Sequence, residues 1–125
     1  MFDNNVFIEG TCRNVSEGFE LKTHITYYRG IPLSMINHIA VTVDDVPVPR
    51  EAIRFTVDEI DWFTLDELPT VTFYKWEYGQ AATVRVLQPD GLAKGSHEVK
   101  LQVVTRTAYI PIPLAGEKTR TVQIS

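Results

Sequence analysis

Cysteine is nearly absent. Cys12 is the single thiol in 125 residues, so no internal disulfide can form and a reducing, cytoplasmic setting is the expectation. Without a second Cys or a His in a nucleophile motif, Cys12 reads as a structural thiol. Clustered positive charge is missing too. The twelve Lys and Arg are never adjacent, the closest pair being Lys118 and Arg120, and the formal net charge is −4. A phosphate-tracking surface needs a concentrated basic face, so nucleic acid is not an expected partner. No stretch approaches the ~18 apolar residues of a membrane span, and Met1-Phe2-Asp3-Asn4-Asn5 gives no basic start to a secretion signal. Neither membrane nor export is expected.

Catalytic signatures are equally thin. His24, His38 and His97 have no zinc-type spacing to another His or Cys, although His24 and His38 could meet across neighbouring strands. Ser16, Ser34, Ser96 and Ser125 are in no Gly-x-Ser-x-Gly turn, and Gly91, Gly95 and Gly116 form no phosphate loop. The carboxylates Asp58, Glu59, Asp61, Asp66 and Glu67 are crowded enough to be considered for glycoside chemistry, which needs a pair about 5–10 Å apart. Their segment has loop character, where acids are ordinarily just solvated.

What is present is alternation. Phe19, Leu21, Ile25 and Tyr27 fall on one face of a strand, Glu20, Lys22, His24 and Thr26 on the other. Met35, Asn37, Ile39, Val41 and Val43 alternate likewise, and Asp44-Asp45 turns the chain. Val46-Pro47-Val48-Pro49 cannot donate a full ladder and is an edge or connector. Further strands are expected at 53–57, 71–76, 82–87, 96–105 and 119–124, with Val99, Leu101 and Val103 inward. Pro89-Asp90-Gly91 is a turn. Between Asp58 and Leu68, Thr64 and Glu67 are spaced as a capping box and Pro69 stops any helix, so a loop or a single turn closes one end of the sheets. Hydrophobic residues make up 44% of the chain, enough for one core at this length. The expected architecture is all-β: one domain, residues 1–125, an antiparallel two-sheet β-sandwich, immunoglobulin-like or jelly-roll-like, of about seven to eight strands.

Aromatic residues are the one surplus. The pairs Tyr27-Tyr28 and Phe73-Tyr74 must split between opposite faces of a strand. Trp76 and Tyr78 share a face, as a sugar-stacking platform, a protein anchor, or simply core with an ordinary exposed tyrosine. Tyr109-Ile110-Pro111-Ile112-Pro113-Leu114 is apolar but broken by two prolines, hence a stiff loop or an edge. Such a segment packs on its own domain or on a partner. The candidate partner interface is therefore Tyr109, Ile110, Pro111, Ile112 and Pro113 with Trp76 and Tyr78.

One combination points further. Gly91-Leu92, Gly95-Ser96-His97-Glu98-Val99 and Arg106-Thr107-Ala108-Tyr109-Ile110-Pro111, with Asp44-Asp45-Val46-Pro47-Val48-Pro49 and Trp76, resemble the small β subunit of bacterial C-glycoside deglycosidases over nearly the whole length. The resemblance implies a β-sandwich in a hetero-oligomer with an α subunit. That α subunit is similar to sugar-phosphate isomerases, a TIM barrel holding a divalent metal, usually manganese, and the acid–base residues. The pair would cleave the carbon–carbon bond between a 3-oxo-glucosyl group and a flavone, anthraquinone or similar aglycone. No catalytic, cofactor or metal residue is carried over to any position of this chain. Two other readings remain: a carbohydrate-binding module stacking sugars on Trp76, Tyr78 or Trp62, and a small cupin-like metalloenzyme.

Overall fold

A computed structural model describes residues 3–26, 30–107 and 110–124, the side chains of Thr107, Ile110 and Pro111 excepted. Tyr27, Tyr28 and Tyr109, on which strand and interface expectations fell, lie outside the described residues. The strands are β1 (Arg13–Val15), β2 (Gly18–Thr23), β3 (Ile31–Pro32), β4 (Ile36–Val43), β5 (Val46–Pro47), β6 (Ile53–Thr56), β7 (Phe63–Thr64), β8 (Lys75–Trp76), β9 (Ala82–Leu87), β10 (Gly95–Thr107) and β11 (Ile110–Ile124). They assemble into a five-stranded sheet ordered β1-β2-β9-β6-β7, a four-stranded sheet ordered β11-β10-β4-β5 and a β3-β8 ladder. All pairings are antiparallel. The expected all-β sandwich is what forms. Four of its eleven described strands are two-residue ladders, so seven strands carry the architecture.

Alternation explains the core. In the five-stranded sheet Phe19, Val86 and Ile53 stand side by side, as do Leu21, Val84 and Phe55. Ile39, Val41, Val99, Leu101 and Val103 of the four-stranded sheet join the same cluster, and none of these eleven side chains exceeds 1% exposure. Each contributes about 1.5–3 kcal/mol of transfer free energy before the entropy of ordering is subtracted.

The sandwich has two distinguishable ends. At the first, Asp44 and Asp45 both have positive φ, 49° and 68°. That is the two-residue primed turn that best matches strand twist, and it joins Val43 directly to Val46. At the second, β2, β6 and β10 finish and β9, β4 and β11 begin. Thr26 and Thr105 bind each other there through their hydroxyls at 2.8 Å, both fully buried. That bond ties the loop after β2 to the far sheet. We call these the Asp44 end and the ribbon end.

Several expectations need correction. Asn37 is exposed and Ile36 buried. The ladder shifts between the pairs Val104–His38 and Thr105–Ile36, leaving Asn37 as an extra, bulged residue, and a bulge reverses the alternation beyond it. The last strand is not confined to 119–124: β11 is continuous from Ile110. Its position at the sheet edge tolerates missing donors. Its one irregularity falls at the prolines, where four steps of β11 from Leu114 to Ile110 face two of β10 from Thr105 to Thr107. The strand expected over 71–76 is reduced to Lys75–Trp76. Between 58 and 68, Thr64 and Glu67 do exchange the two capping-box bonds, Thr64 N–H to Glu67 Oε1 at 2.7 Å and Glu67 N–H to Thr64 Oγ1 at 3.2 Å. They brace a loop that then enters a 3-10 turn at Leu68–Thr70.

Candidate functional site

The ribbon end holds an unusual set of side chains. Ile60 is 78% exposed, Phe73 96%, Tyr78 64% and Ile112 64%. Each is placed there by the chain's local chemistry. Ile60 tops a turn pinned by Asp58, whose Oδ1 accepts the N–H groups of Ile60 and Asp61 at 2.9 and 3.0 Å. Those two bonds hold the Asp58 carboxyl below its usual pKa. Phe73 precedes β8, while its neighbour Tyr74 turns inward against Phe63, ring centroids 5.5 Å apart, and donates its hydroxyl to Asp61. The adjacent aromatic pair splits, but not by strand alternation: Phe73 and Tyr74 lie before the two-residue β8, and Tyr74 is drawn in by Phe63 and Asp61. Tyr78 rides the turn between β8 and β9, closed by Gln80 N–H to Glu77 O at 3.1 Å.

Ile112 sits on a projecting element. The last β4 partner of β10 is Ile36, opposite Thr105, yet β10 and β11 stay paired out to Thr107 and Ile110. Residues 106–107 and 110–113 thus continue as a two-stranded ribbon beyond the last β4 partner. Of the expected interface residues, Ile112 and Pro113 are exposed on this ribbon. Ile110 and Pro111 are described only as backbone within β11.

Trp76 is a correction. It is completely buried, packed edge-on to Phe55 with centroids 5.3 Å apart. Its Nε1 donates to Gln80 O at 2.9 Å, and Gln80 Nε2 in turn donates to Val57 O at 3.2 Å. Its strand is only two residues long and covers the sandwich, so its side chain points into the core while Tyr78 stays outside. The two do not form an exposed platform. Trp62 is no free stacking surface either, because the Arg85 guanidinium lies 3.9 Å from its ring centroid.

That contact belongs to a polar network on the outer face of the five-stranded sheet. Glu20, on the face opposite Phe19 and Leu21 as expected, is nevertheless only 1% exposed. It accepts from Arg13 at 3.0 Å and from Arg85 at 3.1 Å, and Arg85 also meets Glu17 at 3.3 Å. The loop after β6 folds back over this face and brings Trp62 onto Arg85, so Glu20 loses water but keeps two cationic partners.

The other acid–base candidates are occupied individually. Glu59 pairs with Lys22 at 3.5 Å, Asp66 with Arg50 at 3.0 Å, and Asp61 with the Tyr74 hydroxyl. Each of these carboxylates answers to a local structural contact, and none is described facing another across a cleft. His24 follows β2 in one sheet and His38 sits on β4 in the other, so they are not neighbours across strands. Among the described residues no three His, Cys, Asp or Glu side chains converge as metal ligands. Burial pushes the Cys12 thiol up to about 11, which keeps it protonated and a poor nucleophile. A groove of about 490 Å³ runs between residues 7–12 and β11. Its cation, Arg120, is already held by Phe7 O at 2.6 Å and by Glu9 at 3.7 Å.

Fold and surface together define a small antiparallel sandwich with one self-satisfied polar end and one apolar end. The chain belongs to the C-glycoside deglycosidase beta subunit family, whose model matches residues 2–109. A C-glycoside deglycosidase beta subunit of Eubacterium cellulosolvens is 30% identical over 94 residues, which cover 75% of this chain and 63% of that one. The chain thus spans less than two thirds of that relative's length. A 3'-dehydrocarminate deglycosidase beta subunit of Microbacterium sp is 30% identical over 112 residues, 90% of this chain and 83% of the relative. In Arthrobacter globiformis, a C-glycoside deglycosidase beta subunit is 27% identical over 111 residues, 87% and 83% of the two chains. No helix among the described residues is long and apolar enough to cross a membrane.

Proposed function

We propose that this chain is the non-catalytic small subunit of a heteromeric C-glycoside deglycosidase built from two kinds of chain. The complex is a cytoplasmic lyase that breaks the carbon–carbon bond between a 3-oxo-glucosyl group and an aromatic, flavonoid-like aglycone. The family match across residues 2–109 carries the reading. The dispersal of the carboxylates of residues 58–66 into separate structural contacts supports it. In this reading the partner is a TIM-barrel alpha subunit similar to sugar isomerases. That barrel supplies the acid–base groups and a divalent ion, manganese by preference, for which the described donors of this chain offer no cluster. The small subunit stabilises the barrel's open face and completes its pocket, excluding water from the reacting carbon.

The test is reconstitution. The alpha subunit from the same genome, purified alone and with this chain, is assayed on a 3-oxo-C-glucoside. Activity that appears only in the mixture, with co-elution of the two chains, is the expected result. An alpha subunit that is fully active alone and never co-elutes with this chain ends the reading. The carbohydrate-module reading loses its main residue with the burial of Trp76.

A further inference from the structure

We infer that the ribbon end is the surface on which the large subunit docks, with Phe73, Tyr78 and Ile112 as its anchors. The inference rests on the subunit reading above and adds to it the place of contact. Three features of the molecule lead to it.

The first is where exposed apolar bulk lies. Of the six large hydrophobic side chains exposed among the described residues, Ile60, Phe73, Tyr78 and Ile112 stand at the ribbon end. The other two, Val46 and Leu87, are at the Asp44 end on different sheets. A phenylalanine at 96% exposure gains nothing from its own fold; in water it is only a cost until something covers it. Buried aromatic anchors are the residues that dominate protein interfaces.

The second is the ribbon itself. Beyond the Thr105–Ile36 pair, residues 106–107 of β10 and 110–113 of β11 have no partner strand other than each other among the described residues. A two-stranded extension is marginal in water, and proline in β11 restricts its backbone, so little order has to be imposed when it is gripped.

The third is that the remaining faces are already furnished. The outer face of the five-stranded sheet is closed by the Glu20–Arg85–Trp62 network. The outer face of the four-stranded sheet carries Gln102, Thr119 and the Lys100–Glu117 ion pair, a polar surface content in water. The Asp44 end satisfies its own loops: Asn14 exchanges two bonds with Leu92, at 2.8 and 2.9 Å, and His97 bridges Asp44 and Ala93. Among the described residues the ribbon end is where exposed apolar side chains gather.

The test uses the full chain and the alpha subunit from the same genome, with affinity measured by calorimetry. Phe73→Glu and Ile112→Glu alter the ribbon end, Val46→Glu the Asp44 end and Thr119→Glu the open sheet face. All four positions are exposed, so the variants should keep the wild-type melting temperature, and each is checked for it. The expected result is a Kd weakened about tenfold or more by each ribbon-end change and about twofold or less by the other two. Ribbon-end variants that bind like wild type, or a larger loss from Val46→Glu or Thr119→Glu, overturn the inference while leaving the subunit reading intact. A wild-type chain that does not bind the alpha subunit at all ends both. If gel filtration of the chain alone gives a dimer that Phe73→Glu dissolves, the occupant is a second copy of this chain and the inference fails.

Discussion

The Asp44 end and the ribbon end are built from the same alternating strands, yet they dispose of their loop side chains in opposite ways. At the Asp44 end polar side chains fold back on the backbone. Asp44 Oδ1 takes the Glu98 N–H at 2.8 Å, its Oδ2 meets His97 Nδ1 at 2.8 Å, and Gln88 Nε2 donates to Gly91 O at 2.7 Å. At the ribbon end, short polar bonds hold loops whose apolar tips are left outside. The same device, a carboxylate capping a turn, thus closes one end and presents Ile60 at the other. A fold that spends its polar groups locally at both ends and, among the described residues, exposes aromatic rings at one of them has a direction.

That comparison can be sharpened first with Trp76 and Phe73, three residues apart. Trp76→Ala removes a fully buried ring and is expected to destabilise the chain by about 3–5 kcal/mol in urea unfolding. A loss much under that would mean the ribbon-end cap is loosely packed. Next comes Glu20→Ala, which leaves Arg85 beneath Trp62 with Glu17 as its remaining carboxylate partner and is expected to cost about 2 kcal/mol. An unchanged midpoint would show that Arg85 and Arg13 rehydrate freely.

A smaller effect is expected from the Asp44–His97 pair, and it depends on pH. Both His97 ring nitrogens face oxygens, Asp44 Oδ2 and Ala93 O at 2.8 and 2.7 Å. The Asp44 bond first, then the Ala93 bond, raise the His97 pKa above 6.5. Asp44 is lowered below 3.8, by the Glu98 N–H first and then by His97. A raised histidine stabilises fully below its unfolded pKa and loses that contribution as pH rises through the folded value. A lowered carboxylate contributes above its unfolded pKa and loses it as pH falls through the folded value. The gap in urea midpoint between wild type and His97→Ala is therefore expected to be widest near pH ~5.5, between those two titrations, and to shrink by about pH 8.5. A gap that grows with pH contradicts the assignment. Smallest of all is Phe73→Ala, expected to shift stability by less than about 0.5 kcal/mol. A larger loss would show that the ring serves its own fold.

Much of this fold was legible from period-two patterning, because strand faces follow chain-local geometry. Val99, Leu101 and Val103 are inward as expected, and the Asp44-Asp45 turn and the Thr64–Glu67 bonds form where the residue types demand them. What sequence reading missed depends on contacts far apart along the chain. Glu20 alternates outward correctly but is covered by a loop some forty residues later. Asn37 is displaced by a bulge that only the pairing with β10 defines. Trp76 is buried because its short strand crosses over Phe55. The candidate site was half visible. The proline-broken edge was written in the residues, whereas Phe73 and Tyr74 split for contacts outside any strand. The gathering of Ile60 with them at one end, however, is set by how the two sheets are joined.

The most direct test of the docking account is hydrogen–deuterium exchange on the chain with and without the alpha subunit. Slowed exchange concentrated in residues 71–80 and 106–113, with 13–17, 44–46 and 88–95 unchanged, is the expected result. Protection confined to the Asp44 end or to the outer face of the four-stranded sheet would contradict it.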